Sequence, residues 1–187
     1  FVLICGAIGL ALAMFFKVED IEVNGNSRYS KEQIVAAAEV KPGDNLFLLN
    51  KYDAAARIRQ QLPYVETVQF RRVLPNKLVV QVTECRDPVA IKQDGTVYLL
   101  CNKGNIVDTV SAAKWSQYIQ IEGLTLLDPQ VGGEARASAT QQMVLERLLE
   151  ILSLLVEKGM LHQVQGIDLS DASHSTMRYR SRLDVHV

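Results

Sequence analysis

The first sixteen residues, FVLICGAIGLALAMFF, are the feature that most constrains this chain, because none of them carries a charge or an amide side chain. Such a run is most stable as a helix in a bilayer, where its backbone hydrogen bonds are satisfied internally. At 1.5 Å per residue it covers only about 24 Å of a hydrocarbon core about 30 Å thick. We therefore predict that residues 1–16 are part of a transmembrane helix whose beginning, with a cytoplasmic tail, is missing from the sequence.

Two other interpretations of this run are weaker. The hydrophobic region of a signal peptide would end at a small-residue cleavage site, and the letters MFFK offer none. A buried core helix would normally show a polar edge, which this run lacks. We expect a single-pass membrane protein with nearly all of its mass on one side. The side itself cannot be derived, because the upstream flank that would set the orientation is absent.

Composition limits the function of residues 17–187, which would form one large domain or two small ones. Charge is nearly balanced, with 20 basic and 21 acidic residues, so there is no general attraction to nucleic acid or anionic lipid. Aromatic residues make up only 6% of the chain, which leaves few surfaces for stacking bases. Neither a nucleic acid nor a small-molecule substrate is expected.

Of the three cysteines, Cys5 lies in the apolar run, and Cys85 and Cys101 lie outside it. These two could form a disulfide if their strands are neighbours, but spacing alone does not fix that geometry. Two small buried apolar side chains are the other interpretation, and the sequence leaves both open.

The region after the apolar run predicts a compact unit in the order strand, helix, helix, strand, strand. The first strand covers residues 18–23; Ser30 and Gln33 have the spacing of a capping box for the first helix, and Asn50 caps the second. The apolar linker 46–49 is expected to tuck underneath the fold. Residues 68–71 and 78–83 alternate apolar and polar side chains around a Pro-Asn turn, which predicts an antiparallel pair over the helices.

An ordered set of positions in this unit resembles a polypeptide-transport-associated (POTRA) domain of the FtsQ/DivIB type, found in bacterial cell-division proteins. Residues 18–26 are similar to that family's first strand and turn. The other matching positions are Pro63, Val65, Val68, Phe70, Arg72, Pro75, Leu78, Val80, Val82, Glu84, Arg86, Pro88, Val89 and Ala90. One departure is visible: the acidic-Arg pair that usually precedes the proline is Cys85-Arg86 here, with Glu84 one place earlier.

Residues 88–187 predict a second domain of strands with one long helix. The helix is expected to start near Ser138 or Thr140 and to run to Lys158, with Gly159 at its stop. Its wide leucine stripe favours core packing against a sheet over a partner surface. The chain stops inside a strand over residues 183–187. The resemblance implies further closing strands, so we expect the C-terminus to be truncated.

The fold class is therefore α+β, in three parts. Residues 1–16 are the truncated transmembrane helix, and residues 17–87 are a POTRA domain of order β-α-α-β-β. Residues 88–187 are an incomplete, mixed but mostly antiparallel β domain with one long helix.

No residue set in the sequence has the spacing of a catalytic, cofactor or metal site. His162, His174 and His186 lack ligand spacing to a Cys, Asp or Glu. Asp168 and Asp171 lie at a strand end, where Asp bonds its own backbone. A membrane-bound hydrolase would need a nucleophile with a base, and none is visible. Three alternating arginines, Arg178, Arg180 and Arg182, are most simply a solvated face.

The resemblance implies a non-enzymatic, bitopic scaffold of the division machinery, in the cell membrane at the septum with its soluble domains outside the cytoplasm. It would bind FtsB/DivIC-type and FtsL-type partners and link early division factors to septal peptidoglycan synthesis. The residues expected to contact a partner, next to the missing strand, are Met177, Tyr179, Leu183 and Val185. The alternative is a POTRA-containing component of an outer-membrane assembly or secretion system, which would usually carry tandem repeats, a cleaved signal peptide and a β-barrel.

Overall fold

The computed structural model describes residue 6 and residues 15–171, 176–179 and 183–186, the last of these through the backbone alone. Most of the predicted membrane helix at residues 1–16 therefore lies outside the described residues. Among the residues that are described, no helix is both long and apolar enough to cross a bilayer. The chain divides into two compact units, Phe1–Glu84 and Cys85–Val187, and the division lies three residues before the domain boundary expected from the sequence.

The first unit has the predicted β-α-α-β-β order. Its elements are β1 (Asp20–Asn24), α1 (Lys31–Ala38), α2 (Lys51–Gln61), β2 (Val65–Val73) and β3 (Lys77–Glu84). β3 lies in the middle of the sheet, parallel to β1 and antiparallel to β2. Buried residues of the helices, such as Ile34 and Ile58, share one core with Leu78 and Val80 of the central strand.

Both helices of the first unit begin as their sequences predict. The Ser30 hydroxyl accepts a hydrogen bond from the backbone N–H of Gln33, and the Gln33 side chain accepts one from the N–H of Ser30, which completes the capping box. At α2, the Asn50 side-chain oxygen accepts from the N–H groups of Tyr52 and Asp53. These bonds satisfy donors that would otherwise lack a partner in the first helical turn.

The linker 46–49 differs from the prediction that it tucks underneath the fold. Leu46 is fully buried, but 49% of Phe47 and 83% of Leu48 are exposed. The cause is local: the Asn45 side-chain oxygen accepts from the N–H groups of both Phe47 and Leu48, which holds a tight turn directly after Leu46. The middle of the linker is therefore exposed, whereas Leu46 is a core residue and Leu49, partly buried, packs against the same core.

The second unit is a seven-stranded sheet with one long helix. Its strands are β4 (Val89–Gln93), β5 (Thr96–Leu100), β6 (Ile106–Ser111), β7 (Ile119–Glu122), β8 (Val164–Asp168), β9 (Thr176–Tyr179) and β10 (Leu183–His186). The strand order is β10-β9-β8-β7-β4-β5-β6. The pairs of β7 with β4 and with β8 are parallel and the other four are antiparallel, which confirms a mixed, mostly antiparallel sheet. A 3₁₀-helix, Ala112–Gln117, precedes β7.

The long helix α3 (Gln142–Glu157) starts later than predicted, because neither Ser138 nor Thr140 caps it. Their hydroxyls bond to each other at 2.9 Å, and the helix follows Gln141. Its inner face packs into the core of the sheet, as expected. The buried leucines of that face are Leu145, Leu148, Leu152 and Leu155. Gly159 follows the helix with φ +64°, a left-handed conformation that glycine adopts without strain.

Cys85 and Cys101 form a disulfide, which settles the alternative that the sequence left open. The β4–β5 hairpin pairs Val89 with Leu100, and this register brings the chain before Val89 back toward the residue after Leu100. The two Cα atoms are consequently 6.0 Å apart, within the range that a disulfide spans. Both cysteines are also buried.

Candidate partner-binding edge

The last two strands of the sheet bring the four predicted partner-binding residues together. In the β9–β10 pair, Tyr179 lies opposite Leu183 and Met177 lies opposite Val185. Directly opposed residues of an antiparallel pair share a face, and alternate residues of one strand do as well. The register therefore places all four positions on one face of the sheet, and we call these four positions the apolar row.

Two of these four side chains also contribute to the core of the second unit. Met177 and Tyr179 are partly buried and pack against the hydrophobic core that includes Ile121 and Ile167. The Tyr179 hydroxyl also donates a hydrogen bond to the side chain of Gln163. Met177 and Tyr179 thus extend the core toward this end of the sheet.

Among the described residues, β10 is the outermost strand at one end of the sheet. In the part of the chain that the structure describes, β10 pairs with β9 alone. An edge strand presents unpaired N–H and C=O groups, to which an extended segment of another chain can add. An added strand would also find the apolar row beside it.

The other edge of the same sheet is partly covered. The N–H of Ile106 donates to the carbonyl of Gly133 at 2.9 Å, and its carbonyl accepts from Gly132 at 2.8 Å. The loop that contains these glycines therefore occupies the start of β6. Sequence reasoning missed this asymmetry, because the loop pairs with β6 across more than 20 residues of chain and shows no strand pattern of its own.

The acidic residues near the edge have structural partners. Asp168 accepts a hydrogen bond from the backbone N–H of Ser170 at 2.9 Å, as predicted for an Asp at a strand end. Hydrogen bonds from the side chain and backbone of Ser170 hold the pKa of Asp168 below its usual value. Arg178 lies on β9 with its side chain exposed, whereas Arg180, Arg182 and His174 fall outside the described residues.

Glu84, at the end of β3, is a buried anion that sequence reasoning passed over. Its carboxylate accepts hydrogen bonds from the N–H groups of Ser27, Arg28 and Tyr29, at 2.8, 2.7 and 3.2 Å, and from the Ser27 hydroxyl at 2.7 Å. Desolvation raises the pKa of Glu84, but these hydrogen bonds outweigh it and leave the pKa below its usual value. The carboxylate thus ties the β1–α1 turn to the central strand.

The structure also contains two open grooves away from this edge. One, of about 740 Å³, lies between β1 and α1 and is lined by charges of both signs, among them Lys31, Glu32 and Glu39. The other, of about 860 Å³, lies beside α3 and includes Met143 and Leu154. Both grooves are open to solvent, and each is lined by charged residues of both signs beside apolar ones.

Comparison with known proteins matches residues 16–84 to the family model described as "POTRA domain, FtsQ-type". The chain is 28% identical over 173 residues to the cell division protein DivIB of Clostridium botulinum (strain Hall), a match that covers 92% of this chain and 62% of that protein. It is 32% identical over 150 residues to the cell division protein FtsQ of Geotalea daltonii, covering 80% of this chain and 52% of that protein. The chain therefore spans about half to three fifths of the length of these relatives.

Proposed function

The chain belongs to the FtsQ/DivIB family of cell-division proteins, and on that premise we propose that it is a non-enzymatic membrane scaffold of the division machinery. In this proposal residues 1–16 anchor it in the cell membrane as a single-pass protein, and both units lie outside the cytoplasm at the division septum. It binds FtsB/DivIC-type and FtsL-type partners and links early division factors to septal peptidoglycan synthesis.

The observation that carries the proposal is the edge strand β10 beside the apolar row of Met177, Tyr179, Leu183 and Val185. A partner strand that pairs with β10 gains backbone hydrogen bonds and buries part of that row. Anchoring in one bilayer raises the effective concentration of such a partner, so an interface of modest size is sufficient.

The disulfide between Cys85 and Cys101 supports an extracytoplasmic position. Disulfides persist in oxidising compartments such as the periplasm or the cell surface, whereas the cytoplasm keeps thiols reduced. A buried disulfide next to the start of β4 therefore favours a second unit that folds after export.

A matched pair of substitutions on β10 tests the partner-binding part of this proposal. Val185→Thr keeps the side-chain shape but adds a hydroxyl in the predicted apolar row, whereas His186→Thr makes a change at the next position, on the opposite face. The probe is the extracytoplasmic segment of the FtsB/DivIC-type protein from the same organism. Affinity is expected to fall about tenfold for Val185→Thr, a loss of about 1.4 kcal/mol, and to stay unchanged for His186→Thr.

Thermal unfolding of both variants provides the control for folding. The proposal is contradicted if Val185→Thr folds like the wild type and binds the probe with unchanged affinity. Equal losses from both substitutions would also contradict it, because the apolar face would then not be the surface that the partner recognises.

A further inference from the structure

Five large hydrophobic residues are exposed among the described residues of the first unit. All five lie in three segments, 15–17, 45–52 and 72–76. These residues are Phe15, Phe47, Leu48, Tyr52 and Leu74. Soluble surfaces seldom gather exposed apolar side chains in one region unless something covers them. Leu48, which is 83% exposed, has the highest exposure of the five.

The three segments are joined directly. The N–H of Leu46 donates to the carbonyl of Phe16 at 2.8 Å, and the rings of Phe16 and Phe47 meet edge to face with centroids 5.1 Å apart. The Arg72 guanidinium lies over the Phe47 ring at 5.9 Å and donates to the carbonyl of Leu49 at 3.1 Å. We call the residues Phe47, Leu48, Lys51, Tyr52, Arg72 and Leu74 the aromatic–basic patch.

The segment between the apolar run and β1 is short. Only residues 17–19 separate Phe16 from Asp20, a distance of at most about 14 Å even for a fully extended chain. Two of the three are also tied to the unit: Val18 donates to the carbonyl of Asp44 and Glu19 to that of Asn76, each at 2.8 Å. If residues 1–16 enter a bilayer, the end of the unit that carries the patch must lie at its surface.

The chemistry of the patch fits the interfacial layer of a membrane. Aromatic rings prefer the headgroup level, and lysine and arginine stems lie along apolar surface while their charges meet water or anionic headgroups. The neighbouring carboxylates are bound within the protein: Asp44 accepts from the N–H of Lys41, Asp53 from the side chain of Asn50, and Glu19 from that of Asn76. Their charge is thus partly compensated on the protein side.

We propose that the aromatic–basic patch rests in the interfacial layer of the bilayer that residues 1–16 enter, and so fixes the height and tilt of the first unit above it. This inference rests on the anchor assigned under the proposed function. The patch is a second membrane contact, next to the anchor in space but up to about 60 residues away from it in sequence.

Tryptophan placed in the patch tests this directly. In the full chain, Trp115→Phe removes the single native tryptophan. Leu48→Trp then reports the patch, and Gln61→Trp reports the far end of α2, about 16 Å along the helix axis. Each variant is reconstituted in vesicles of phosphatidylcholine and phosphatidylglycerol with brominated or ordinary acyl chains. We expect Leu48→Trp to shift to shorter wavelength and to lose emission in brominated vesicles, while Gln61→Trp keeps its emission.

Tyr52→Trp, also in the patch, is a second reporter in case Leu48→Trp disturbs the turn, and it is expected to behave in the same way. Flotation of the vesicles after an alkaline wash reports the anchor separately. If the chain floats but neither patch reporter loses emission, the lipid contact is overturned while the anchor stands; a protein partner would then be the occupant of the patch. If the chain does not float, the anchor fails and the inference fails with it.

Discussion

At the scale of single residues, Glu84 shows how a carboxylate can hold a turn through backbone N–H groups and a hydroxyl. Three backbone N–H groups and one hydroxyl from residues 27–29 converge on it. Such an arrangement favours the ionised form and is worth more than a neutral hydrogen bond. The sequence shows only a glutamate at a strand end and a polar turn nearly 60 residues earlier, so the pattern predicts each feature but not their contact.

Replacement of Glu84 by Gln tests this role. The amide keeps the size but can no longer accept so many charge-assisted bonds, so we expect the first unit to lose about 2 kcal/mol of unfolding free energy. Urea unfolding followed by the amide NMR signals of Ile21 and Val80 measures it. Glu157→Gln, at an exposed position with an ion pair to Lys158 at 3.8 Å, should stay within about 0.5 kcal/mol of wild type.

The lowered pKa of Glu84 also predicts how the effect of Glu84→Gln depends on pH. Because the pKa of Glu84 is lowered in the folded state, its contribution is fully present above the unfolded pKa and is lost as the pH falls through the folded value. The difference between wild type and Glu84→Gln should therefore be largest near about pH 7 and shrink toward about pH 3. A difference that does not change with pH would mean that the charge is not what stabilises the turn.

At the scale of elements, the disulfide closes the β4–β5 hairpin at its open end. The two cysteines are 16 positions apart, so the bridge restricts a loop of moderate length in the unfolded chain. This constraint could not be predicted from spacing, because it depends on the register that pairs Val89 with Leu100. The register in turn follows from the Asp94-Gly95 turn, where both residues adopt positive φ.

Removal of the disulfide by Cys85→Ser with Cys101→Ser should cost the second unit about 3 kcal/mol, the entropy expected for a loop of about this length. Urea unfolding followed by the emission of Trp115 measures it, and wild-type protein with reductant should approach the variant. A midpoint unchanged in both cases would show that the bridge does not stabilise the folded unit.

The helix α3 separates core from surface within one apolar sequence. Leu148 is fully buried, whereas Leu154, six positions later, is 56% exposed. We expect Leu148→Ala to cost the second unit about 3 kcal/mol and Leu154→Ala less than about 0.5 kcal/mol, measured again through Trp115. Similar losses from both would mean that the outer face of α3 is also packed.

At the scale of the whole molecule, local patterns predicted the elements well and long-range pairing poorly. Alternation, capping residues and the Pro-Asn turn were sufficient for the order of the first unit, since each acts within a few residues. Three features join segments at least 16 positions apart, and no local periodicity encodes them. They are the loop that pairs with the start of β6, the disulfide between Cys85 and Cys101, and the hydrogen bonds to Glu84. Resemblance to a known family supplied the architecture that local physics left open.

The four predicted partner residues show the same contrast between local pattern and long-range packing. Alternation along the sequence selected Met177, Tyr179, Leu183 and Val185 as apolar positions, and the register of β9 with β10 brings them to one face. That Met177 and Tyr179 also pack on the core could not be read from a two-residue period, because the period does not say which face is covered.

The central claim is that this protein is a scaffold on which division depends, and depletion in its host with microscopy tests it most directly. Cell length and the number of completed septa are measured as the protein disappears. The account predicts long filaments whose septa fail to close, with division restored when the wild-type chain is supplied from a second copy. Cells that divide at normal length after the protein is gone would contradict it.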